Sequence, residues 1–336
     1  MLDEALPRGA RRTRQRVRTA LKNRPLTRAW ARGLWWRLPG HGDPPVRLAV
    51  CAIFRNEASY LAEWVAFHRM MGVEEFYLYD NSSTDDWRGV LKQHIATGIV
   101  HVMHWPARRA PQLAAYRHCL AHRRRRPRWI AFIDIDEFLF SPTGRGLPEV
   151  LSAFGRQAGV VVAWRVFGTG GWRERPDGLV TESYLRRAAN AHFLSQYGKA
   201  VVDPRQTVTH VTTPHHFMHY HRTIPWRFEL AVDEQGRPCS DRCTTANLLR
   251  INHYYSKSET EAIARFDRGT LCTNYPLRQR LDPRLNDVHD DAILRFLPDL
   301  RKHLGVVRAP EERCAFEVTD TRDAAPVGGT VTVGSA

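Results

Sequence analysis

Strands and helices alternate through the first half of this chain, and that order constrains the fold more than any other feature. Residues 46–54 form an apolar strand, residues 58–71 carry apolar side chains at helical spacing, and residues 74–79 form a second strand. Two further predicted strands end at His104 and Asp134. This alternation predicts an α/β fold of Rossmann type, built on a mixed but mostly parallel central sheet.

Polar side chains follow three of these predicted strands. Arg55, Asn56 and Glu57 come after the first strand, and a polar turn opens at Asp80 after the second. In open α/β sheets, ligands bind at the carboxyl ends of the strands. We therefore expect these clusters and the acidic end of the fourth strand to meet in one crevice.

The acidic strand end is the most specific of these clusters. The apolar run that begins at Trp129 leads into Asp134 and Asp136. Side chains two residues apart on a strand point the same way, about 7 Å apart. Two such carboxylates repel each other unless a positive charge lies between them. A divalent cation bound to phosphate oxygens meets that need; a solvated acidic turn is the alternative.

The positive charge of the chain is concentrated near its start. The formal net charge is +15, and residues 1–45 hold ten arginines and Lys22 against three acidic residues. Within residues 8–38, Trp30, Leu34, Trp35 and Leu38 share a helical face. This pattern is typical of a basic helix on an anionic membrane surface, or of a disordered leader with one docked apolar turn.

The domain boundaries follow from these shifts in composition. We expect a basic tail and linker over residues 1–45, one domain over residues 46–312 and a disordered tail over residues 313–336. Neither a membrane-length apolar run nor a secretory signal is found in the sequence, which predicts a cytoplasmic protein. Cys51 and Cys119 lie in apolar contexts and are expected to be buried thiols.

An ordered set of short motifs between residues 47 and 305 resembles glycosyltransferase family 92 and its bacterial family-2-like relatives. The matching pieces are Cys51-Ala-Ile-Phe-Arg-Asn-Glu-Ala58, Leu61-x-Glu63-Trp64-x-x-x-His68, Tyr79-Asp-Asn-Ser-Ser-Thr-Asp85, Pro111-Gln112, Ala115-Tyr-Arg-His-Cys119, Trp129 to Phe138, Trp164 to Gly171, Lys199 with Pro204, and Asn252-His-Tyr-Tyr-x-Lys-Ser258. The resemblance implies a GT-A fold, a nucleotide-sugar donor of the UDP type, a divalent metal and inversion at the anomeric carbon.

Site residues follow from the motifs and the resemblance together. For the metal, Mn²⁺ or Mg²⁺, we expect Asp136 as a direct ligand, His253 as a further ligand, and Asp134 on the ribose or on a metal-bound water. His215, His216 and His219 are alternatives to His253. The residues expected to bind the nucleotide-sugar are Phe54, Arg55, Asn56, Asp80, Gln112, Asp134, Lys199 and Lys257.

The acceptor and the general base are expected on one loop and the segment that follows it. Gly170, Gly171 and Trp172 are expected to line the acceptor cleft, since glycine allows close approach and tryptophan offers a face to a sugar. Inversion requires a base on the acceptor hydroxyl, for which we expect Glu182 or Glu174. The acceptor itself is expected to be a glycan or a lipid-linked molecule.

Three other interpretations were weighed. Glu63, Trp64 and His68 share one helical face, which favours packing on the sheet over catalysis. An Asp-nucleophile phosphatase is disfavoured because Phe138 stands where that chemistry usually has Thr or Val. A nucleic-acid-binding protein is disfavoured because the basic residues concentrate in residues 8–37 and are not interleaved with stacking aromatics on a sheet face.

Overall fold

A computed structural model describes residues 44–155, 157–219, 231–232, 238–239, 247–268 and 281–305. The predicted basic tail, including its helix over residues 8–38, and the predicted C-terminal tail lie outside the described residues.

Twelve short strands and seven α-helices make up the described chain, numbered here in chain order. The strands are β1 (Val46–Phe54), β2 (Glu75–Asp80), β3 (Val100–His104), β4 (Pro127–Phe132), β5 (Glu137–Phe140), β6 (Gly159–Val166), β7 (Arg186–Arg187), β8 (Gly198–Val202), β9 (Ala231–Val232), β10 (Pro238–Cys239), β11 (Arg250–His253) and β12 (Val288–His289). The helices are α1 (Ala58–Met70), α2 (Trp87–Ala96), α3 (Pro111–Arg123), α4 (Leu147–Ser152), α5 (Val180–Ser183), α6 (Glu259–Arg268) and α7 (Leu297–Leu304).

Eight of the strands form one sheet in the order β3-β2-β1-β4-β8-β6-β11-β5. Strands β3, β2, β1 and β4 pair in parallel, and β6 pairs in parallel with β11. Strands β8 and β5 run antiparallel to their neighbours. The mixed, mostly parallel α/β sheet expected from the sequence is therefore confirmed.

Strand β1 is buried on both faces, as a central parallel strand should be. Leu48, Val50 and Ala52 pack into one apolar cluster with Trp64 of α1. The alternate residues Ala49, Cys51 and Ile53 pack into a second cluster on the other face. That second cluster also contains Cys119 of α3. Cys51 and Cys119 are free and buried, as predicted.

Helix α1 holds the acidic turn between β4 and β5 in place. The indole nitrogen of Trp64 donates to the carbonyls of Asp134 (3.1 Å) and Glu137 (2.9 Å). His68 Nε2 accepts the backbone N–H of Leu139 at 3.1 Å. The structural interpretation of this helical face is therefore correct, and its function is to fix the backbone of the acidic turn.

Glu63, the third residue of that face, is buried and holds the start of α5. Its carboxylate accepts the backbone N–H groups of Val180 (2.7 Å) and Thr181 (2.9 Å). Burial raises the pKa of Glu63 against these hydrogen bonds. The contact fixes α5 to α1.

The apolar pattern of the second half predicts a strand at residues 207–211 and one helix over residues 287–304, and both predictions are wrong. Residues 207–211 form no strand; Thr207 makes only an isolated bridge to His219. The helix expected over residues 287–304 is shorter: α7 spans Leu297–Leu304, preceded by β12 and a 3₁₀ turn at Leu294–Phe296. Proline at the first turn of α7 is compatible with a helix start there and not with a helix interior.

We predict that the acid sensitivity of folding depends in part on His68. Burial lowers the pKa of His68 to about 3, whereas the unfolded chain takes up a proton below about pH 6.5. The unfolded state therefore binds more protons between these values, so stability is present above pH 6.5 and falls as the pH drops toward 3. His68→Gln should reduce the loss of unfolding free energy between pH 7 and pH 5 by about 2 kcal/mol.

Urea unfolding at the two pH values measures this difference. His122→Gln is the matched control, since His122 lies exposed on α3. An unchanged pH dependence in His68→Gln would contradict the assignment.

Candidate active site

A cavity of about 490 Å³ lies at the carboxyl ends of β1 and β4. Its walls come from the β1–α1 loop, the acidic turn after β4, and the segment that runs from β11 into α6. Most of the predicted donor-site and metal-site residues line it: Phe54, Arg55, Asn56, Gln112, Asp134, Asp136, Lys199, His253 and Lys257. The sheet thus brings together side chains that are up to about 200 positions apart in the sequence.

The β1–α1 loop is held by the loop that follows β2. Asn56 has a left-handed backbone (φ 57°), and its Oδ1 accepts the backbone N–H of Thr84 at 2.8 Å. The backbone N–H of Asn56 donates to Ser83 Oγ at 3.0 Å. Asparagine tolerates this conformation better than most residues. These contacts fix the loop that carries Arg55.

Asp80 supports that loop and is not among the residues that line the cavity. It is buried, and its Oδ1 accepts the backbone N–H of Ser83 at 2.8 Å. Its Oδ2 lies 3.7 Å from Nδ1 of His104. The structure therefore gives Asp80 a place in the turn that supports the β1–α1 loop, and its contact with the nucleotide stays a prediction.

Asp134 is held by donors on both of its carboxylate oxygens. Oδ1 accepts from Gln112 Nε2 (2.6 Å) and from the hydroxyl of Tyr116 (3.3 Å). Oδ2 accepts from Lys199 Nζ at 2.7 Å. Gln112, in the first turn of α3, therefore hydrogen-bonds to Asp134 itself.

Lys199 lies beneath the acidic turn, not in front of it. Its side chain is 1% exposed, and its ammonium is also 3.7 Å from Glu137 Oε2. Burial acts to lower the pKa of Lys199, but the neighbouring carboxylates outweigh it and hold that pKa above its ordinary value. Burial raises the pKa of Glu137. The ammonium of Lys199 therefore offsets the negative charge of the acidic turn.

Asp136 and His253 meet because β11 pairs antiparallel with β5. The register places His253 opposite Glu137, and the backbone N–H of Tyr254 donates to the carbonyl of Asp136 at 2.8 Å. His253 Nε2 then lies 3.5 Å from Asp136 Oδ2. Two predicted metal ligands from distant parts of the sequence are thus adjacent.

Arg265 of α6 adds a cation on the same carboxylate. Its Nη1 lies 3.1 Å from Asp136 Oδ2 and also donates to the carbonyl of Tyr255. Burial acts to raise the pKa of Asp136, but His253 and Arg265 outweigh it and hold the pKa well below its usual range. Asp136 is therefore ionised near pH 7, and burial lowers the pKa of His253.

The donor set around Asp136 suits a divalent cation only in part. No group of three or more His, Cys, Asp or Glu side chains that could hold a metal is found among the described residues. However, both ring nitrogens of buried His253 lack a hydrogen-bond partner there. A neutral imidazole beside one carboxylate can hold a metal whose other ligands are water and phosphate oxygens. Asp136 and His253 therefore fit such an ion.

A second lysine faces the cavity from the segment after β11. Lys257 has a left-handed backbone (φ 54°), and its ammonium lies 3.7 Å from Glu57 Oε2. It also lies 3.4 Å from the ring centroid of Tyr60. Burial lowers the pKa of Lys257 against the pull of Glu57 and Asp136.

The residues expected to bind the acceptor are not among those that line this cavity. Gly170 and Gly171 adopt positive φ angles of 60° and 88°, and the N–H of Gly170 donates to Asn286 Oδ1 at 2.8 Å. Trp172 is 45% exposed, which leaves its ring accessible to a partner. The loop is a surface feature beside α6, whose first residue donates its backbone N–H to the carbonyl of Trp172 at 3.0 Å.

The two predicted general bases also lie away from the cavity lining. Glu182 accepts the backbone N–H of Leu179 at 2.9 Å and pairs with Arg301 at 2.5 Å. Glu174 accepts the hydroxyl of Thr260 at 3.1 Å. The structure thus shows Glu182 closing the first turn of α5, a role that its position three residues after Leu179 explains.

Several cavity residues were missed by sequence reasoning. They are Trp164, Tyr255, Glu261 and Arg265. Tyr255 follows His253 by two residues and so carried a local signal. Arg265 and Trp164 carried none, since a basic residue on a helix and a tryptophan in a strand usually have other roles.

Comparison with known proteins decides the family. Residues 45–275 match the sequence model described as glycosyltransferase family 92. The chain belongs to glycosyltransferase family 92. A family 92 protein of Ricinus communis is 33% identical over 186 residues, which cover 53% of this chain and 33% of the relative. A family 92 protein of Oryza sativa subsp. japonica is 33% identical over 159 residues, which cover 46% and 26%.

The aligned part spans about a third or less of the length of these family 92 relatives. Among solved structures, glucosyl-3-phosphoglycerate synthase from Mycobacterium tuberculosis, in complex with Mn²⁺, UDP and glucosyl-3-phosphoglycerate, is 17% identical. The match covers 55% of this chain and 62% of that one, with a TM-score of 0.29. A TM-score this low supports no inference about shared ligands.

We predict that removing the charge of Lys199 strongly destabilises this family 92 chain. Lys199→Met leaves Asp134 and buried Glu137 without their cation, and breaking a buried pair from one side costs about 3 kcal/mol or more. Urea unfolding measures the loss. The double variant Lys199→Met/Asp134→Asn should recover part of it, because one of the uncompensated charges is gone. Equal stability of the single and double variants would contradict this coupling.

Glu182→Gln separates a structural role of Glu182 from the predicted catalytic one. If Glu182 serves the first turn of α5 and the pair with Arg301, the variant should lose about 1 kcal/mol of stability and keep most of its turnover. Glu63→Gln, which perturbs the other support of α5, is the control for destabilisation. A fall in turnover of 100-fold or more with stability unchanged would restore Glu182 as the base.

Proposed function

We propose that this family 92 chain is a metal-dependent glycosyltransferase. It moves a sugar from a nucleotide-sugar, in our proposal a UDP-sugar, to a glycan or lipid-linked acceptor with inversion. One observation carries the proposal: a single cavity collects Asp136 and His253 together with the cationic side chains of Arg55, Lys257 and Arg265. That composition suits a diphosphate held between cations at the carboxyl edge of a parallel sheet.

The electrostatics of the cavity support a diphosphate ligand. Departure of a nucleoside diphosphate leaves negative charge that fixed cations stabilise. Arg55 is able to pair with phosphate oxygens in a bidentate way. Lys257 and Arg265 are each held near a carboxylate, at 3.7 Å from Glu57 and 3.1 Å from Asp136. Each of these cationic side chains therefore has a carboxylate partner that it can exchange for a phosphate oxygen of the proposed diphosphate.

Asp136 and His253 are the residues that would hold the metal, Mn²⁺ or Mg²⁺. When bound, such an ion acts as a Lewis acid on the diphosphate. Asp134, fixed by Gln112 and Lys199, is proposed to accept a ribose hydroxyl or a metal-bound water. Phe54 and Asn56 are proposed to shape the nucleoside end of the cavity.

The acceptor is proposed to approach from the side of the exposed Trp172. Inverting transfer needs a base on the attacking hydroxyl. Glu174 and Glu182 stay predictions from the resemblance, while Glu57 and Glu261 are glutamates that line the cavity. Burial raises the pKa of Glu261, a direction that suits a group accepting a proton near neutral pH. We therefore add Glu57 and Glu261 as candidate bases.

A lipid-linked acceptor would place the protein at a membrane surface. No helix among the described residues is long and apolar enough to cross a bilayer. The basic segment over residues 8–38 is proposed to bind an anionic leaflet and lies outside the described residues.

Release of nucleoside diphosphate from a panel of UDP-sugars, with and without Mn²⁺ or Mg²⁺, tests the activity. We predict that Asp136→Asn lowers the rate at least 100-fold, because it removes the charge that a metal and Arg265 both require. Asp291→Asn, at an exposed site, is the matched control. Full activity of Asp136→Asn, or a wild-type rate unaffected by chelation, would contradict metal-dependent transfer.

A further inference from the structure

One wall of the cavity is aromatic and uncharged, in contrast to the cationic side. Trp164 of β6 lies at the centre of this wall, with ring centroids 4.4 Å from His253 and 5.2 Å from His215. All three residues line the cavity. We call Trp164 and His215 together the aromatic wall; His253 joins it to Asp136.

Trp164 carries a buried hydrogen-bond donor with no partner among the described residues. Trp164 is 7% exposed, and its Nε1 has no hydrogen-bond acceptor among the described residues. Trp87 Nε1 likewise has no partner among the described residues but does not line the cavity, whereas the indole nitrogens of Trp64, Trp105 and Trp172 each donate to a carbonyl. An unsatisfied buried donor costs about 1–3 kcal/mol. A ligand that supplies an acceptor at this position removes that cost.

His215 supplies the complementary function. Its Nδ1 lies 3.0 Å from the carbonyl of Gly198, so Nδ1 carries the proton and donates. In the neutral ring Nε2 is then an acceptor. Trp164 and His215 of the aromatic wall therefore carry one donor and one acceptor. A phosphate is acceptor-only at neutral pH and does not match Nε2, whereas a hydroxyl both donates and accepts.

The position of the wall indicates which hydroxylated group it meets. It adjoins His253, whose Nε2 is 3.5 Å from Asp136 Oδ2, and so lies next to the proposed diphosphate position. The sugar of a nucleotide-sugar is bonded directly to that diphosphate. A flat ring face also suits the C–H groups of a pyranose.

We propose that the aromatic wall, Trp164 with His215, is the subsite for the sugar ring of the donor. The Trp164 indole N–H donates to a sugar hydroxyl oxygen, and His215 Nε2 accepts a hydroxyl proton. This inference rests on the proposed function and adds to it the side chains that select the sugar. It distinguishes the donor sugar from the acceptor sugar, for which Trp172 remains the proposed contact.

Isothermal titration calorimetry on the full chain with Mn²⁺ tests the proposal. The probes are UDP-galactose, UDP-glucose and UDP, together with GDP-mannose and GDP. Trp164→Phe keeps an aromatic ring and removes the N–H; we expect its affinity for the preferred nucleotide-sugar to fall about tenfold, as loss of one hydrogen bond implies. Affinity for the free nucleoside diphosphate should stay within twofold. His215→Phe, which removes the acceptor, should show the same selectivity.

Trp129→Phe is the matched control, because Trp129 is also a buried strand tryptophan but does not line the cavity. It should change neither affinity. Equal losses for nucleotide and nucleotide-sugar in both wall variants, or no loss in either, would overturn the sugar subsite. A loss confined to the KM of the acceptor would move the wall to the acceptor and overturn it as well. A wild-type chain that binds no probe at all would instead refute the proposed function.

Discussion

The buried ion pair between Lys199 and Asp134 is the interaction on which the site depends. Asp134, Asp136 and Glu137 fall within four positions, and without a cation their mutual repulsion would oppose the turn between β4 and β5. Lys199 reaches the turn from beneath, with its ammonium 2.7 Å from Asp134 and 3.7 Å from Glu137. Because it is 1% exposed, its charge is screened little by solvent. Lys199 lies on the antiparallel strand β8, which pairs with β4 on one side and β6 on the other.

The backbone of the turn is fixed from the opposite side by α1. Trp64 donates to two carbonyls of the turn, and His68 accepts from β5. Lys199 neutralises the carboxylate of Asp134, and α1 fixes the backbone of the turn. Asp136 is then the carboxylate of the turn that is available to a ligand. Its partners, His253 and Arg265, both come from the segment that runs from β11 into α6. The site is therefore a joint product of the parallel half of the sheet and the β5–β11 pair.

The sequence predicted the parts of this arrangement that follow from local pattern. Apolar strands with polar ends placed Phe54, Asn56 and Asp134 at one edge, and the fold class follows from the same alternation. The pairing of His253 with Asp136 needed the antiparallel β5–β11 register, which no local signal encodes. Lys199 was expected to bind the nucleotide-sugar, and its burial against the acidic turn was not predicted because charge alone does not reveal burial. The contact of Glu182 with the backbone N–H of Leu179 at the start of α5 had no sequence signal, because leucine stands where a capping box has Ser or Thr.

The cationic side of the cavity and the aromatic wall differ in chemistry, and we propose that they bind different parts of the ligand. Arg265 already satisfies Asp136, so a divalent cation at that carboxylate and the guanidinium compete for the same oxygen. In the proposed function an incoming diphosphate would change the balance, because it would offer the guanidinium a second anion and a bound metal further oxygen ligands. Neither cation then has to be desolvated alone. Trp164 and His215 carry no such charge and cannot contribute to this exchange. In our proposal, the indole N–H of Trp164 and Nε2 of His215 therefore discriminate between ligands that share a diphosphate, and selection among sugars can change there without altering the charged half of the site.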